Sequence, residues 1–280
     1  MLNKHGNIQN FLGCDSDYAN AQIVLFGAPY DATTSNRPGA RFAPAAMRGE
    51  SYALETYSPY IDKDLEADVA VYDAGDLELY GRSPTVVLDM IEQATAEILS
   101  DNKTPIMIGG EHLVTLGAIR AAYKKYPDLH IIHFDAHTDL RQDYLGEELS
   151  HATVIRRCHD LIGDNKIFQV GVRSGTKEEF EWRKTHLAQT LEHFIGKPVY
   201  FTLDLDVLDP STMSGTGTPE AGGMTFNDLL NDILHLQKFN VIGCDIVELA
   251  PNYDTSGVST ATACKILREL ILTIGGTQNG

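Results

Sequence analysis

The residues of this chain that could do chemistry lie in three polar clusters, each directly after an apolar segment. The densest cluster is Asp135, His137 and Asp139, which follow the mostly apolar stretch 131–134. Alternate side chains of an extended chain point to the same side, so we expect these three to meet beyond the end of a strand. Burying neighbouring carboxylates is unfavourable without a compensating cation. The cluster therefore predicts a cation site.

Two further clusters occupy the same kind of position. His112 follows the predicted strand 105–109. Asp204 and Asp206 lie at the end of the predicted strand 199–204. Taken singly, such a histidine is also common at the start of a helix, bonded to backbone, and aspartates are common at strand ends. In an open parallel sheet, however, ligands bind beyond the carboxyl ends of the strands. The shared position of the three clusters favours one common site.

The number and type of these residues indicate two metal ions rather than one. Four aspartates and two histidines exceed what a single ion in an open catalytic site can bind, whereas two divalent ions can share bridging aspartates. Oxygen and nitrogen ligands without thiolates favour Mn²⁺ over structural zinc, with Fe²⁺, Co²⁺ and Zn²⁺ chemically possible. Two ions about 3.5–4 Å apart can hold a bridging water and make hydroxide available near neutral pH. The predicted chemistry is hydrolysis.

Strands and helices that alternate along the chain must position these clusters. Turn signals bound the predicted strands, and the predicted helices carry apolar residues at helical spacing. Their alternation predicts a parallel sheet covered by helices on both faces. We therefore expect one α/β domain over residues 1–280, a single-domain α/β/α sandwich with a mostly parallel central sheet. The predicted strands are 23–28, 68–72, 105–109, 130–135, 167–172, 199–204 and 240–246. The main predicted helices are 44–54, 84–100, one that opens at 109–112 and ends before Pro127, 150–161, 177–184, 225–236 and 259–274.

Composition excludes several classes of partner. A hydrophobic content of 43% in 280 residues supports a sizeable core. The formal charge of −17 argues against a nucleic-acid backbone or an anionic membrane, and suits a cationic substrate as well as plain solubility. No run reaches the roughly 18 apolar residues of a membrane-spanning helix, and the N-terminus lacks the apolar core of a signal peptide. With four widely spaced cysteines, we expect a cytoplasmic protein.

These motifs resemble the signature sequences of the arginase/agmatinase (ureohydrolase) family, and the resemblance covers nearly the whole chain. Two departures are Ala152, where many agmatinases have glycine, and the segment 182–197, which is short where relatives fit an additional strand and part of a helix. Either the sheet loses a strand there or the region is rebuilt. The three signature motifs are Gly109-Gly-Glu-His112, Asp135-Ala-His-Thr-Asp139 and Asp204-Leu-Asp-Val-Leu-Asp-Pro210. Four further segments are more similar to agmatinases than to arginases, namely Arg37-Pro-Gly-Ala-Arg-Phe42, Ser150-His-Ala-Thr153, Gly215-Thr-Gly-Thr-Pro219 and Val247-Glu-Leu-Ala-Pro251.

The resemblance implies a role for each cluster. Two manganese ions per subunit would be bridged by Asp135 and Asp204. One coordination sphere would be completed by His112 and Asp139, and the other by His137 and Asp206. The family also implies a homotrimer or homohexamer.

The resemblance further implies the catalytic residues. Glu248 matches the glutamate that binds the guanidinium group, and His151 matches the histidine that exchanges protons with solvent. Asp139 would orient the hydroxide that attacks the guanidinium carbon and would pass a proton to the leaving amine. The arginines Arg37 and Arg41 either border the binding crevice or brace loops or a subunit contact.

The expected reaction is hydrolysis of agmatine, a small cationic guanidine, to putrescine and urea. The loop 141–149 carries Asp143, Glu147 and Glu148 against a single Arg141, which favours a substrate with a cationic tail. Another ureohydrolase, such as a guanidinobutyrase or an arginase, is the first alternative. An inactive metal-binding scaffold is the second, but it predicts a missing ligand and none of the six is missing.

Overall fold

A seven-stranded sheet, parallel throughout, forms the centre of the computed structural model, which describes residues 2–6 and 9–275. The strands are β1 Ile23–Gly27, β2 Tyr57–Ser58, β3 Lys63–Asp64, β4 Val71–Asp76, β5 Thr104–Ile108, β6 His130–Phe134, β7 Ile167–Val170, β8 Pro198–Asp204 and β9 Asn240–Val247. Their order across the sheet is β4-β1-β5-β9-β8-β6-β7, while β2 and β3 form a separate antiparallel pair. The last strand of the chain therefore lies at the centre of the sheet.

Helices cover both faces of this sheet and build two apolar cores. In β1, Ile23 and Leu25 face the core shared with α1, α7 and α8, whereas Val24 and Phe26 face the core shared with α3, α4 and α5. This arrangement confirms the α/β/α sandwich. The helices are α1 Ala43–Ser51, α2 Leu65–Asp68, α3 Pro84–Ser100, α4 Thr115–Lys125, α5 Val154–Ile162, α6 Lys177–His186, α7 Phe226–His235 and α8 Val258–Gly275.

None of the helices within the described residues is long and apolar enough to cross a membrane. Most boundaries agree with the sequence patterns, and α3 begins and ends at the predicted residues. The segment 182–197 contains the end of α6 and the 3-10 turn Glu192–Phe194 but no strand. The additional strand of the relatives is thus absent from this part of the described chain, as the departure in the sequence indicates.

The fourth strand differs from its prediction because two of its residues are acidic. The sequence predicts a strand at 68–72 that ends before Asp73, whereas β4 continues through Asp76. Asp73 is buried because the Arg48 guanidinium donates to both of its oxygens, at 2.7 and 2.9 Å. A buried ion pair with α1 therefore allows a strand where the local composition indicates a turn.

Gly110 marks the closest approach of two loops at the carboxyl edge of the sheet. A Cβ atom at Gly110 would lie 1.9 Å from the carbonyl oxygen of Tyr30. That carbonyl accepts a hydrogen bond from the Glu111 amide at 2.8 Å. The Gly110 carbonyl accepts from the Glu248 amide at 2.9 Å. A glycine is needed here because backbone occupies the space of a side chain.

We expect Gly110→Ala to lower the free energy of unfolding by roughly 1–3 kcal/mol, since overpacked backbone has to shift. Gly49→Ala in α1 is the matched control, because its nearest neighbour is 3.7 Å away. The control should leave stability unchanged or raise it by up to about 1 kcal/mol. Urea denaturation measures both, and equal stability of the two variants would contradict the close approach.

Candidate active site

The first of two poles in the site is built around His112. The strands β5, β9, β8 and β6 are neighbours in the sheet, so their carboxyl ends meet. His112 follows β5, and its Nδ1 lies 3.1 Å from Asp135 Oδ2 after β6. The same atom lies 3.3 Å from Asp139 Oδ2 and 3.3 Å from Asp204 Oδ2. Three aspartates therefore surround one imidazole nitrogen.

The second pole is built around His137. Its Nδ1 lies 2.9 Å from Asp206 Oδ2 and 3.4 Å from Asp135 Oδ1. Asp135 thus directs one oxygen to each histidine. The two poles share this carboxylate, and together they bring all six predicted ligands to one place.

Backbone amides hold three of the carboxylates in position. Asp135 Oδ1 accepts from the His137 amide at 2.5 Å, and Asp204 Oδ1 accepts from the Asp206 amide at 2.8 Å. Asp206 Oδ1 accepts from the amide of Ala136 at 3.0 Å. The carboxylates are therefore oriented by the chain rather than by opposite charges, which leaves oxygens available for metal binding.

The electrostatics of the site fit bound cations. All four aspartates are less than a tenth exposed. Burial and the neighbouring Asp206 raise the pKa of Asp204 well above its usual value. Burial and the Asp135 charge raise the pKa of Asp139 to about 7. Carboxylates that resist ionisation in this way would be stabilised by divalent cations, which replace the protons.

The tautomer of His112 supports the same conclusion. The Thr202 hydroxyl donates to Asp245 Oδ1 at 2.6 Å, so its oxygen accepts from His112 Nε2 at 3.0 Å. The buried Nδ1 has no hydrogen-bond partner within the described residues and faces carboxylate oxygens. Although burial lowers the pKa of His112, the nearby carboxylates of Asp135, Asp139 and Asp204 raise it well above its usual value. A metal ion in place of that proton would satisfy the nitrogen and the carboxylates together.

His133 also lies in the cluster, and sequence reasoning missed its role. His133, His112 and Asp135 have ligand atoms within 4.8 Å of one another. However, His133 Nδ1 accepts from the Gln169 side chain at 3.0 Å, so its Nε2 carries the proton that it donates to Asp135 Oδ2 at 2.9 Å. His133 therefore orients Asp135 rather than offering a lone pair. The sequence signal was its spacing of two from Asp135, which places both on one side of an extended chain.

Two functional candidates adopt an unusual backbone conformation. Asp139 has φ 51° and Glu248 has φ 67°, in the left-handed region that costs energy for residues other than glycine. The Asp139 carbonyl accepts from the amides of Ile155 and Arg156 in the first turn of α5, both at 3.1 Å. Glu248 Oε1 accepts from the His112 amide at 2.7 Å. The neighbouring elements thus hold both residues in place.

A cleft of about 260 Å³ opens above the ligands, and Glu248 and His151 line it. Burial, followed by the nearby Glu111 charge, raises the pKa of Glu248 to about 8. Burial lowers the pKa of His151 to about 4, so its imidazole is neutral at pH 7. Its Nε2 lies 3.1 Å from the exposed hydroxyl of Ser35. Both residues predicted to act on substrate therefore face the same cavity.

The acidic residues of the loop 141–149 do not reach this cleft. Asp143, Glu147 and Glu148 are exposed and are not among the cleft-lining residues, whereas Arg141 is. These acidic residues therefore give no direct support to the preference for a substrate with a cationic tail.

The two arginines of the 37–42 segment brace loops. Arg37 donates to the carbonyls of Thr216 at 2.9 Å and Gly217 at 3.1 Å. Arg41 pairs with the buried Asp31. Both arginines therefore make the loop contacts of the bracing alternative, and Arg37 also lines a cavity with His137, as the crevice alternative predicts.

Comparison with known proteins gives a consistent result. A model of the arginase family matches residues 21–273. The chain is 48% identical over 276 residues to an agmatinase of Bacillus subtilis, covering 94% of this chain and 95% of that protein. It is 32% identical to a guanidinobutyrase of Pseudomonas aeruginosa, covering 90% of this chain and 86% of that protein. The crystal structure of agmatine ureohydrolase of Thermoplasma volcanium superposes with a TM-score of 0.87 at 34% identity, covering 98% of this chain and 97% of that one.

We expect Asp204→Asn to stabilise the metal-free protein, because the amide needs no proton on burial among carboxylates. The same change should abolish most of the stabilisation that Mn²⁺ gives, which for the unaltered chain is about 2.7 kcal/mol at a hundredfold excess over Kd. Melting temperatures with Mn²⁺ and with a chelator measure both effects. Asp89→Asn, at an exposed surface position, is the control. An Asp204→Asn protein that gains as much from Mn²⁺ as the control would contradict the ligand assignment.

Proposed function

We infer that this chain, which belongs to the arginase family, acts as an agmatinase and hydrolyses agmatine to putrescine and urea. The similarity to agmatinases extends over nearly the whole chain, at 45–48% identity for four of them. The observation that carries the proposal is that Asp135 directs one oxygen to His112 and the other to His137. A carboxylate shared in this way is what a pair of adjacent metal ions requires.

The six ligands are proposed to bind two ions. His112 and Asp139 would complete one coordination sphere and His137 and Asp206 the other, with Asp135 and Asp204 as bridges. The mixed oxygen and nitrogen set supports Mn²⁺ as the ion. When bound, the two ions would supply a nucleophile from water near neutral pH and stabilise the charge that develops in the transition state.

Glu248 is proposed to bind the guanidinium group of the substrate. Its Oε1 accepts from the His112 amide, and the residue lines the cleft. A guanidinium has planar N–H donors that match a carboxylate and form strong charge-assisted hydrogen bonds. A buried, ionised Glu248 would therefore place the guanidinium carbon beside the metal ligands. Its raised pKa in the metal-free protein would fall when substrate and ions supply positive charge.

Asp139 and His151 are proposed to move protons. Asp139 has an oxygen 3.3 Å from His112 Nδ1 and therefore lies at the first pole, where it would accept the proton of the attacking water and pass it to the leaving amine. The neutral imidazole of His151 would accept a proton and exchange it with solvent. Its contact with Ser35, which is exposed, supports a path to water.

Assembly and location are further parts of this proposal. Family resemblance supports a homotrimer or homohexamer. The four cysteines are buried thiols without disulfides, which is compatible with a reducing compartment and supports the cytoplasm.

Urea release by Mn²⁺-loaded protein tests the substrate assignment. We expect faster release from agmatine than from arginine or 4-guanidinobutyrate. Faster release from either of the latter two would overturn the assignment to agmatine while leaving the reaction class intact.

Glu248→Gln is expected to lower kcat/KM for agmatine by roughly 10–100-fold, because one charge-assisted hydrogen bond contributes about 1.5–3 kcal/mol. Metal content should stay unchanged, since Glu248 is not a proposed ligand. Glu181→Gln, on the exposed surface of α6, is the control. Kinetics like those of the control would argue against guanidinium binding by Glu248.

A further inference from the structure

Glu111 is a buried carboxylate next to the proposed ligand His112. The proposed reaction assigns no role to it. Its side chain has no exposed surface. The hydrogen bonds that its two side-chain oxygens accept come from the loop after β1. The Thr33 amide donates to Oε1 at 3.2 Å and to Oε2 at 3.0 Å. The hydroxyls of Thr33 and Thr34 donate at 2.8 and 3.1 Å. One carboxylate therefore anchors the segment Thr33–Thr34, which has no regular secondary structure of its own.

The same Thr33 hydroxyl contacts the residue proposed to exchange protons. Its oxygen accepts a hydrogen bond from the His151 amide at 3.1 Å. His151 begins the 3-10 turn His151–Thr153, and amides at the start of such a turn lack partners within it. Two residues beyond Thr33, the Ser35 hydroxyl lies 3.1 Å from His151 Nε2. The loop therefore touches both the backbone and the ring of His151.

We propose that Thr33, anchored by Glu111, is a positioning residue that holds His151 over the cleft. The proposal rests on the role of His151 in the proposed function. The hydrogen bonds run in one direction, from the His151 amide to the Thr33 oxygen and from the Thr33 hydroxyl to Glu111. Both side-chain oxygens of Glu111 act as acceptors here, so the contact fixes the Thr33 hydroxyl proton and turns the lone pairs of that oxygen towards His151.

Thr34 provides an internal comparison. Its hydroxyl lies 3.1 Å from both Glu111 Oε2 and the Asp31 carbonyl, and it makes no hydrogen bond with His151. Thr33 and Thr34 are both half-buried. Replacing either by valine exchanges a hydroxyl for a methyl group of nearly the same volume. Only the change at Thr33 removes the oxygen that accepts the hydrogen bond from the His151 amide.

The first experiment compares Thr33→Val with Thr34→Val by hydrogen exchange of peptides that cover 150–153. Loss of one hydrogen bond should speed exchange of the His151 amide by about tenfold in Thr33→Val. Thr34→Val should stay within twofold of the unaltered chain. This readout does not depend on catalysis. Equal exchange in the two variants would overturn the positioning role.

The second experiment measures kinetics with agmatine on the same Mn²⁺-loaded proteins, after confirming equal metal content. Thr33→Val should lower kcat by about tenfold with KM within twofold, because proton exchange is impaired and guanidinium binding is not. Thr34→Val should retain normal kcat. A rise in KM at constant kcat, or equal loss in both variants, would contradict the proposal.

A double-mutant cycle separates an effect through His151 from a general loosening of the cleft. In a His151→Ala background, Thr33→Val should reduce kcat by less than a further twofold, since residues that act as a unit are not additive. Full additivity would overturn the link. If the unaltered chain released no urea from agmatine or any other guanidine, the proposed function would fail, whereas the exchange difference would still decide the structural link.

Discussion

Four carboxylates buried at one point are the constraint on which this structure depends. Two like charges about 4 Å apart repel by about 4 kcal/mol at the effective dielectric constant near a protein surface. Two imidazoles cannot neutralise four aspartates. The fold therefore orients the carboxylates with backbone amides, as at Asp135, Asp204 and Asp206. The two metal ions proposed for this site would balance the remaining charge, and the proposed catalysis would use this same concentration of negative charge.

The order of the strands determines which residues lie next to this cluster of carboxylates. Because β9 lies between β5 and β8, Glu248 comes next to His112 although 136 positions separate them. Glu248 and Asp139 are both held in the left-handed backbone region. Hydrogen bonds from neighbouring elements compensate for that conformation, so the strain is stored where side chains must point into the cleft.

Around the ligands lies a shell of groups whose role is orientation. Gln169 sets the tautomer of His133, which in turn donates to Asp135. Glu111 and Thr33 likewise hold the segment that carries His151. Such supports keep reactive groups within the small tolerances that catalysis needs.

The sequence by itself determined the architecture and which six side chains are the candidate ligands. Apolar strands between amphipathic helices specify a covered parallel sheet, and the spacing of Asp135, His137 and Asp139 is local information that survives in any such fold. Only the tertiary structure decided which distant residues meet. β4 continues past Asp73 because Arg48 neutralises that residue. Glu111 accepts several hydrogen bonds because the loop after β1 packs on it. These are contacts between segments far apart in the chain, and neither periodicity nor composition carries that information.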